Sequence, residues 1–242
     1  MRLTRHAIAV LLMLLLQSNS SPSRFLNKPE PVKGNPLPAV AATSPIAAVL
    51  YEEWALESAG LSKDAFEKAY KGFMVLQAKN RLNNCSLLTI VDYSLSSVQK
   101  RLFVLEMTTG KLLFNTLVAH GRRSGLERAT DFSNAGESHK SSLGFFITQG
   151  TYKGSNGYSL KLRGCENGIN SNALNRAIVM HGADYVSERF IRQNGYLGRS
   201  YGCPAVPLEQ TKKIIDAIKN GSCMFLYYPS KKYFSRSTIL NS

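Results

Sequence analysis

The sequence predicts a β-rich α+β fold, one β domain behind a short N-terminal helical preface. Three observations carry that reading. Residues 46–79 repeat apolar side chains at three- and four-residue steps, the period of a helix packed on one face. From Leu87 onward, short runs rich in Leu, Ile, Val and Phe alternate with glycine-containing loops, the pattern of strands. The chain has 242 residues, of which 44% are hydrophobic and 19% charged, enough apolar side chain for one sizeable core.

The chain opens with Arg2 and Arg5, an apolar run from Ala7 to Leu16, and the small polar stretch Gln17-Ser18-Asn19-Ser20-Ser21. This is the plan of a secretory signal peptide over residues 1–20, cleaved near Ser20. The run is short against the roughly 20 residues of a membrane span, and a retained anchor is the alternative. No cysteine follows the run, which argues against a lipid-modified N-terminus. Export to the periplasm or cell envelope is therefore expected, and with it an oxidising compartment. Residues 21–45 hold Pro22, Pro29, Pro31, Pro36, Pro38 and Pro45 among small residues and read as an extended tether.

The helical preface spans 46–83. Val49, Leu50, Trp54 and Leu56 mark a first helix that Gly60 can stop, and Ser62 can cap a second carrying Phe66, Ala69, Tyr70, Phe73 and Leu76. Residues 84–230 form the main domain. Its expected strands are Leu87 to Tyr93, Arg101 to Met107, Leu112 to His120, Leu143 to Thr148, Ser159 to Leu162, Ala177 to His181 and Cys223 to Tyr228. One helix is expected over Thr211 to Lys219. Residues 231–242 read as a basic C-terminal tail. Two long loops, Gly121 to Ser142 and Gly182 to Cys203, are where function is expected to sit.

The formal net charge is +14. No helix-turn-helix, zinc-finger or RNA-recognition pattern accompanies it, so nucleic acid is not the expected partner. A solvated basic surface or peripheral contact with an anionic bacterial envelope would each account for the excess. The four cysteines, Cys85, Cys165, Cys203 and Cys223, contain no CxxC spacing, and His120, His139 and His181 lack short ligand spacing. Neither a metal nor another cofactor is expected. With Cys203 kept as a thiol, the other three allow one disulfide or three buried thiols.

Chemistry concentrates at Arg199-Ser200-Tyr201-Gly202-Cys203-Pro204 and at Met180-His181-Gly182. A cysteine between glycine and proline suits a turn that presents its thiol. His181, placed at the end of a strand, is the candidate base. An unperturbed thiol has a pKa of about 8.5, so it needs such a base to attack at neutral pH. The carbonyl of Gly182 can orient the imidazole, and backbone N–H groups at Tyr201, Gly202 and Cys203 can receive an oxyanion.

These segments, together with Val118-Ala119-His120-Gly121, Ser124-Gly125, Phe132-Ser133-Asn134 and Ser141-Ser142-Leu143-Gly144-Phe145-Phe146-Ile147-Thr148, resemble the YkuD-type L,D-transpeptidases, in particular the branch described as murein L,D-transpeptidase catalytic domain proteins. The likeness covers roughly Ile46 to Pro229. It implies an L,D-transpeptidase-like catalytic β domain in which Cys203 is the acyl-accepting nucleophile, His181 its base, and a backbone oxygen at Gly182 or Ser200 the third member. It implies a reaction on peptidoglycan tetrapeptide stems: attack at the L-centre of the third residue, release of D-alanine, and transfer to a neighbouring stem amine as a 3→3 cross-link. A lipoprotein amine is another acceptor in some members, and water would make the enzyme an L,D-carboxypeptidase. Many members have His-Gly-Cys followed by Arg or Asn, where this chain has Tyr201-Gly202-Cys203-Pro204. Substrate clamping must therefore differ, and Arg199, His120 and Ser142 are the candidate substrate contacts. The rival classes are a catalytically silent wall-binding protein and a cysteine endopeptidase or amidase of the wall.

Overall fold

Strand β1 (Leu87–Asp92) has six buried residues and forms the spine of an eight-stranded mixed sheet. Four of its six residues are aliphatic, and all six are buried with no in-out alternation, as in a strand covered on both faces. On one side it pairs antiparallel with β2 (Leu102–Glu106), which pairs antiparallel with β3 (Leu112–Thr116). On the other it pairs parallel with β8 (Cys223–Tyr227), brought back from the far end of the chain. The sheet continues through β4 (Gly144–Gly154), β5 (Gly157–Gly164), β6 (Val179–Ala183) and β7 (Ala205–Pro207), in the order β3-β2-β1-β8-β4-β5-β6-β7. The computed structural model describes residues 45–242. The signal peptide and residues 21–44 of the tether lie outside the described residues. Among the described residues, no helix is long and apolar enough to cross a membrane.

Pro45 opens α1 (Pro45–Glu53), the helical position where a missing N–H costs least. The first helix was expected to run to Gly60. It ends at Glu53, and turns carry the chain through Gly60. In α2 (Lys63–Ala78), Ala65, Phe66, Ala69, Gly72, Phe73 and Leu76 are buried, and the helix packs on β1 and β8. Ser62 stands at the N-cap of α2 but makes no cap bond. Its hydroxyl donates instead to the buried carboxylate of Asp92, 2.6 Å away. Phe145 of β4 and Phe225 of β8 stack in the core at 4.2 Å between ring centroids.

Behind the far end of the sheet lies α4 (Leu208–Ile218). It buries Thr211, Ile214, Ile215 and Ile218 and packs against β5, β6 and β7. Two elements were not anticipated there. The short helix α3 (Glu188–Asn194) lies inside the loop from Gly182 to Cys203, with no buried residue to mark a periodic face. Strand β7 has three residues, one of them a proline that only an edge strand accommodates.

The last twelve residues are not a detached tail. They form α5 (Lys231–Arg236) and a closing turn in which Tyr233, Ser237, Ile239 and Leu240 are buried. Glu166 anchors them. Its carboxylate accepts from Tyr233 Oη at 3.1 Å, from Ser237 Oγ, and from the Phe145 N–H at 2.8 Å. Burial pushes the Glu166 carboxyl up, and these donors oppose that shift. The basic residues that suggested a tail face outward; the buried partner lies far away in sequence.

Candidate active site

Strand β6 supplies the histidine. His181 lies in the middle of that strand, not at its end, paired with Ser159 on β5 and Ala205 on β7. The displacement has a local cause: Ala177 adopts φ +52°, which delays the strand until Val179, and pairing with β7 extends it to Ala183. Val179 and His181 point to the same face of the strand because side chains alternate. The thiol of Cys203 meets that strand at Val179, whose N–H lies 3.5 Å from Sγ. The thiol also contacts the carbonyl of Ala177 at 3.6 Å.

The imidazole is held by its own strand. Nδ1 of His181 lies 2.9 Å from the carbonyl oxygen of Gly182. A carbonyl oxygen only accepts, so Nδ1 carries the hydrogen and Nε2 keeps its lone pair. Of the two backbone oxygens proposed to complete the site, Gly182 is therefore the one on the ring. The Ser200 carbonyl is occupied by the Arg122 N–H at 2.7 Å. Gly182 has to be glycine for space: a Cβ there would stand 2.2 Å from Thr211 Oγ1 of α4.

Burial shapes both titrations. It pushes the Cys203 thiol up, with the Val179 N–H and the charge of Arg176 opposing. It pushes His181 down, with the Gly182 carbonyl opposing. Each shift disfavours the charged form, so the pair rests as neutral thiol and neutral imidazole.

The turn before Cys203 is closed by Ser200. Its Oγ donates to the Cys203 carbonyl at 2.6 Å and accepts from the Gly202 N–H at 3.0 Å. Gly202 sits at φ +122°, a conformation L side chains avoid, and a Cβ there would lie 2.8 Å from the Lys140 carbonyl. Because the Gly202 N–H is committed to Ser200, it is not an open oxyanion donor. The N–H groups of Tyr201 and Cys203 have no protein acceptor among the described residues.

The loop from Gly121 to Ser142 is sewn to this turn by a residue not singled out as a site residue. Ser141 Oγ accepts from the Gly121 N–H at 3.0 Å and donates to the Gly202 carbonyl at 3.1 Å. The signal was the serine cluster in that loop, which gives no indication of which hydroxyl does this.

The three candidate substrate contacts fare differently from expectation. His120 is buried; its Nδ1 accepts from Arg101 Nη2 at 2.8 Å, and Nε2 lies 3.4 Å from the Gly125 carbonyl. Burial and the Arg101 cation push its pKa down to about 3, so it is a neutral structural histidine and not a cleft residue. Ser142 is also buried, donating to the Ser133 carbonyl at 2.8 Å and accepting from Arg176 at 2.6 Å. Arg199 donates to the Gly125 carbonyl at 3.3 Å, and its guanidinium lies 5.5 Å from the Tyr196 ring centroid. Both contacts direct it at the loop and not at Cys203. Tyr201 is 64% exposed, with its ring edge-on to His139 at 4.6 Å.

Two cavities flank the segment from Arg176 to Val179 that contacts the thiol. One, of about 560 Å³, is lined by Glu137, His139, Asn172, Asn175, Arg176, Ala177 and Tyr201. The other, of about 260 Å³, is lined by Tyr152, Lys161, Leu174, Ala177, Ile178 and Val179. Ala177 and Val179, the backbone partners of Sγ, stand in their walls. A further cavity of about 400 Å³ is bordered by Phe132, Tyr228, Tyr233 and Arg236, and neither Cys203 nor His181 lines any of the three. All four cysteines are free thiols, but of the three besides Cys203 only Cys223 is buried, and Cys85 and Cys165 are half-buried. Among the described residues, no group of three or more His, Cys, Asp or Glu side chains is placed to hold a metal ion.

No curated protein matches the chain. Among solved structures, it is similar to an L,D-transpeptidase from Mycobacterium smegmatis, with 12% identity, 59% of each chain covered and a TM-score of 0.36. It is similar to Mycobacterium tuberculosis L,D-transpeptidase 1, with 12% identity, 59% of this chain and 62% of that one covered, and a TM-score of 0.34. An L,D-transpeptidase from Stackebrandtia nassauensis matches with 14% identity, 76% and 77% coverage and a TM-score of 0.36. The chain thus spans less than two thirds of the length of the two mycobacterial chains. Residues 57–227, most of the chain, match the family of L,D-transpeptidase catalytic domains, and to that family the chain belongs.

Proposed function

We propose that this protein is a cysteine L,D-transpeptidase that acts on peptidoglycan stem peptides in the cell envelope, after export directed by residues 1–20. The observation that carries the reading is the pinned imidazole: with Nδ1–H on the Gly182 carbonyl, Nε2 of His181 is the free base on the strand that meets Sγ of Cys203.

The Cys203 thiol gives its proton to His181 Nε2, and sulfur attacks the carbonyl of the L-centre at the third position of a tetrapeptide stem. The developing oxyanion is received by backbone N–H groups of the nucleophile turn, Tyr201 and Cys203, since Gly202 is committed to Ser200. Collapse breaks the peptide bond, and the imidazolium proton leaves with the amine of D-alanine. The acyl group remains on sulfur as a thioester. An amine of a neighbouring stem, deprotonated by His181, then takes the acyl group and restores the thiol, forming a 3→3 cross-link. Water in place of the amine gives an L,D-carboxypeptidase. The two cavities that share Ala177, whose carbonyl the thiol contacts, offer one approach for the donor and one for the acceptor.

The test is incubation with a carbapenem followed by intact-protein mass spectrometry, paired with muropeptide analysis. A covalent adduct that disappears in Cys203→Ala, with loss of D-alanine and new 3→3 links, is expected. A free thiol at Cys203 with no adduct overturns the reading in favour of a silent wall-binding protein. Cuts inside the stem would overturn it in favour of an endopeptidase.

A further inference from the structure

Arg176 carries a charge that its surroundings do not neutralise. Nη1 donates to the Ser133 carbonyl at 2.7 Å and to Ser142 Oγ at 2.6 Å. Nη2 donates to the Lys140 carbonyl at 2.6 Å and to Ser138 Oγ at 3.2 Å. All four acceptors are neutral, and among the described residues Arg176 makes no ion pair. A half-withdrawn guanidinium with no counter-ion is costly, and the cost falls when an anion forms beside it.

The anion that can form there is on sulfur. A Cβ on Gly202, the residue before Cys203, would lie 3.2 Å from Arg176 Nη2. Ala177, next to Arg176 in the chain, supplies the carbonyl that the thiol contacts. Burial holds Arg176 below the usual arginine range, and Cys203 acts on it in the opposite direction.

We infer that Arg176 is a positioning residue for the nucleophile's charge, its guanidinium fixed by four neutral acceptors to serve as the counter-charge of the Cys203 thiolate. The inference rests on Cys203 being the nucleophile. When the proton passes from Sγ to Nε2 of His181, the sulfur keeps the electron pair, loses its donor contact to the Ala177 carbonyl, and faces the Val179 N–H and the Arg176 cation. No side chain has to move to meet the new charge, which is how a preorganised site acts. The other titratable groups around the thiol are His181, Tyr93 and Tyr185, with Glu137 and His139 along one cavity and Lys161 along the other. Of these only Lys161 is a permanent cation, and its ammonium lies over the Tyr152 ring, 5.5 Å from the centroid. The nearby Lys140 is paired with Asp131.

A merely structural Arg176 would staple the loop through its four bonds and nothing more. The pH dependence of Cys203 alkylation by iodoacetamide separates the two roles, read on the full chain by mass spectrometry of the Cys203 peptide so that Cys85, Cys165 and Cys223 do not interfere. R176Q removes the charge; the midpoint should rise and the rate at pH 7 fall about tenfold or more. R176K keeps the charge and loses the fork, and its rate should stay within about threefold of the parent. An unmoved midpoint in R176Q, or a loss in R176K as large as in R176Q, overturns the inference. Should R176Q fail to fold, R176K decides alone, and a tenfold fall there refutes it. Alkylation reports on the sulfur whether or not stem peptides turn over. An active enzyme with an unmoved R176Q midpoint fails this inference alone. Shifted midpoints without carbapenem adduct or cross-link fail the transpeptidase reading alone.

Discussion

The carbonyl oxygen of Gly182 lies 2.9 Å from Nδ1 of His181, one residue before it on the same strand. A backbone oxygen does the work that a carboxylate does in many nucleophilic sites, fixing tautomer and ring plane without adding a negative charge. With no such charge to hold a proton on the ring, and with burial pushing it down, His181 stays neutral to lower pH than a free histidine. Acyl-enzyme formation should therefore be flat as pH falls through the ordinary histidine range near 6.5 and decline only below it. Stopped-flow acylation by a carbapenem across pH 4.5–8 measures this. A decline centred at or above the ordinary value would show that the imidazole is not held neutral.

His120 predicts a stability profile. Its folded pKa, about 3, lies far below the unfolded value, so the unfolded chain binds the proton more readily between the two. Stability is fully present above pH 6.5 and falls as pH drops through that window, by about 1.4 kcal/mol per pH unit for one such proton. His181 adds a loss of the same sign. Urea melts at pH 7, 6 and 5 should show the decline. His120→Asn, whose amide oxygen can still accept from Arg101, should flatten part of it.

Ser200 holds the turn that ends at Cys203. Ser200→Ala leaves the Gly202 N–H and the Cys203 carbonyl without their partner in a buried turn, a loss of about 1–3 kcal/mol. The carbapenem acylation rate should fall at least about tenfold, because the N–H groups of the turn lose their fixed geometry. Ser200→Thr, which keeps the hydroxyl, should recover most of both. Thermal melts and acylation rates on the two variants check this.

The C-terminal clasp is testable by deletion. Removing residues 230–242 leaves the buried Glu166 carboxylate without Tyr233 and Ser237. The truncated chain should lose several kcal/mol in a urea melt, and Tyr233→Phe alone about 1 kcal/mol. A detached tail would change neither.

Most strands could be read from the sequence, since Leu87 to Asp92 or Cys223 to Tyr227 are apolar runs with no competing period. Strand β7 could not, because three residues carry no pattern and its pairing with β6 is set by a neighbour distant in sequence. The site divides in the same way. Cys203, His181 and Gly182 announce themselves by residue type and turn chemistry. The partners of His120, Ser142 and Arg199 do not, because a polar residue in a loop looks the same whether it faces a cleft or the buried Arg101. Arg176 gives no signal in the sequence for the converse reason: its proximity to Cys203 arises only when the segment before β6 folds against the turn that ends at Cys203.

The burial of Cys203, at 9% exposure, bears on how long such a protein lasts. Peroxide and small disulfides react with thiolates far faster than with thiols, and they must reach the sulfur to do so. A thiol that rests protonated behind the Ala177 to Val179 segment gives them little to oxidise. A sulfur kept protonated and covered in this way is chemically durable.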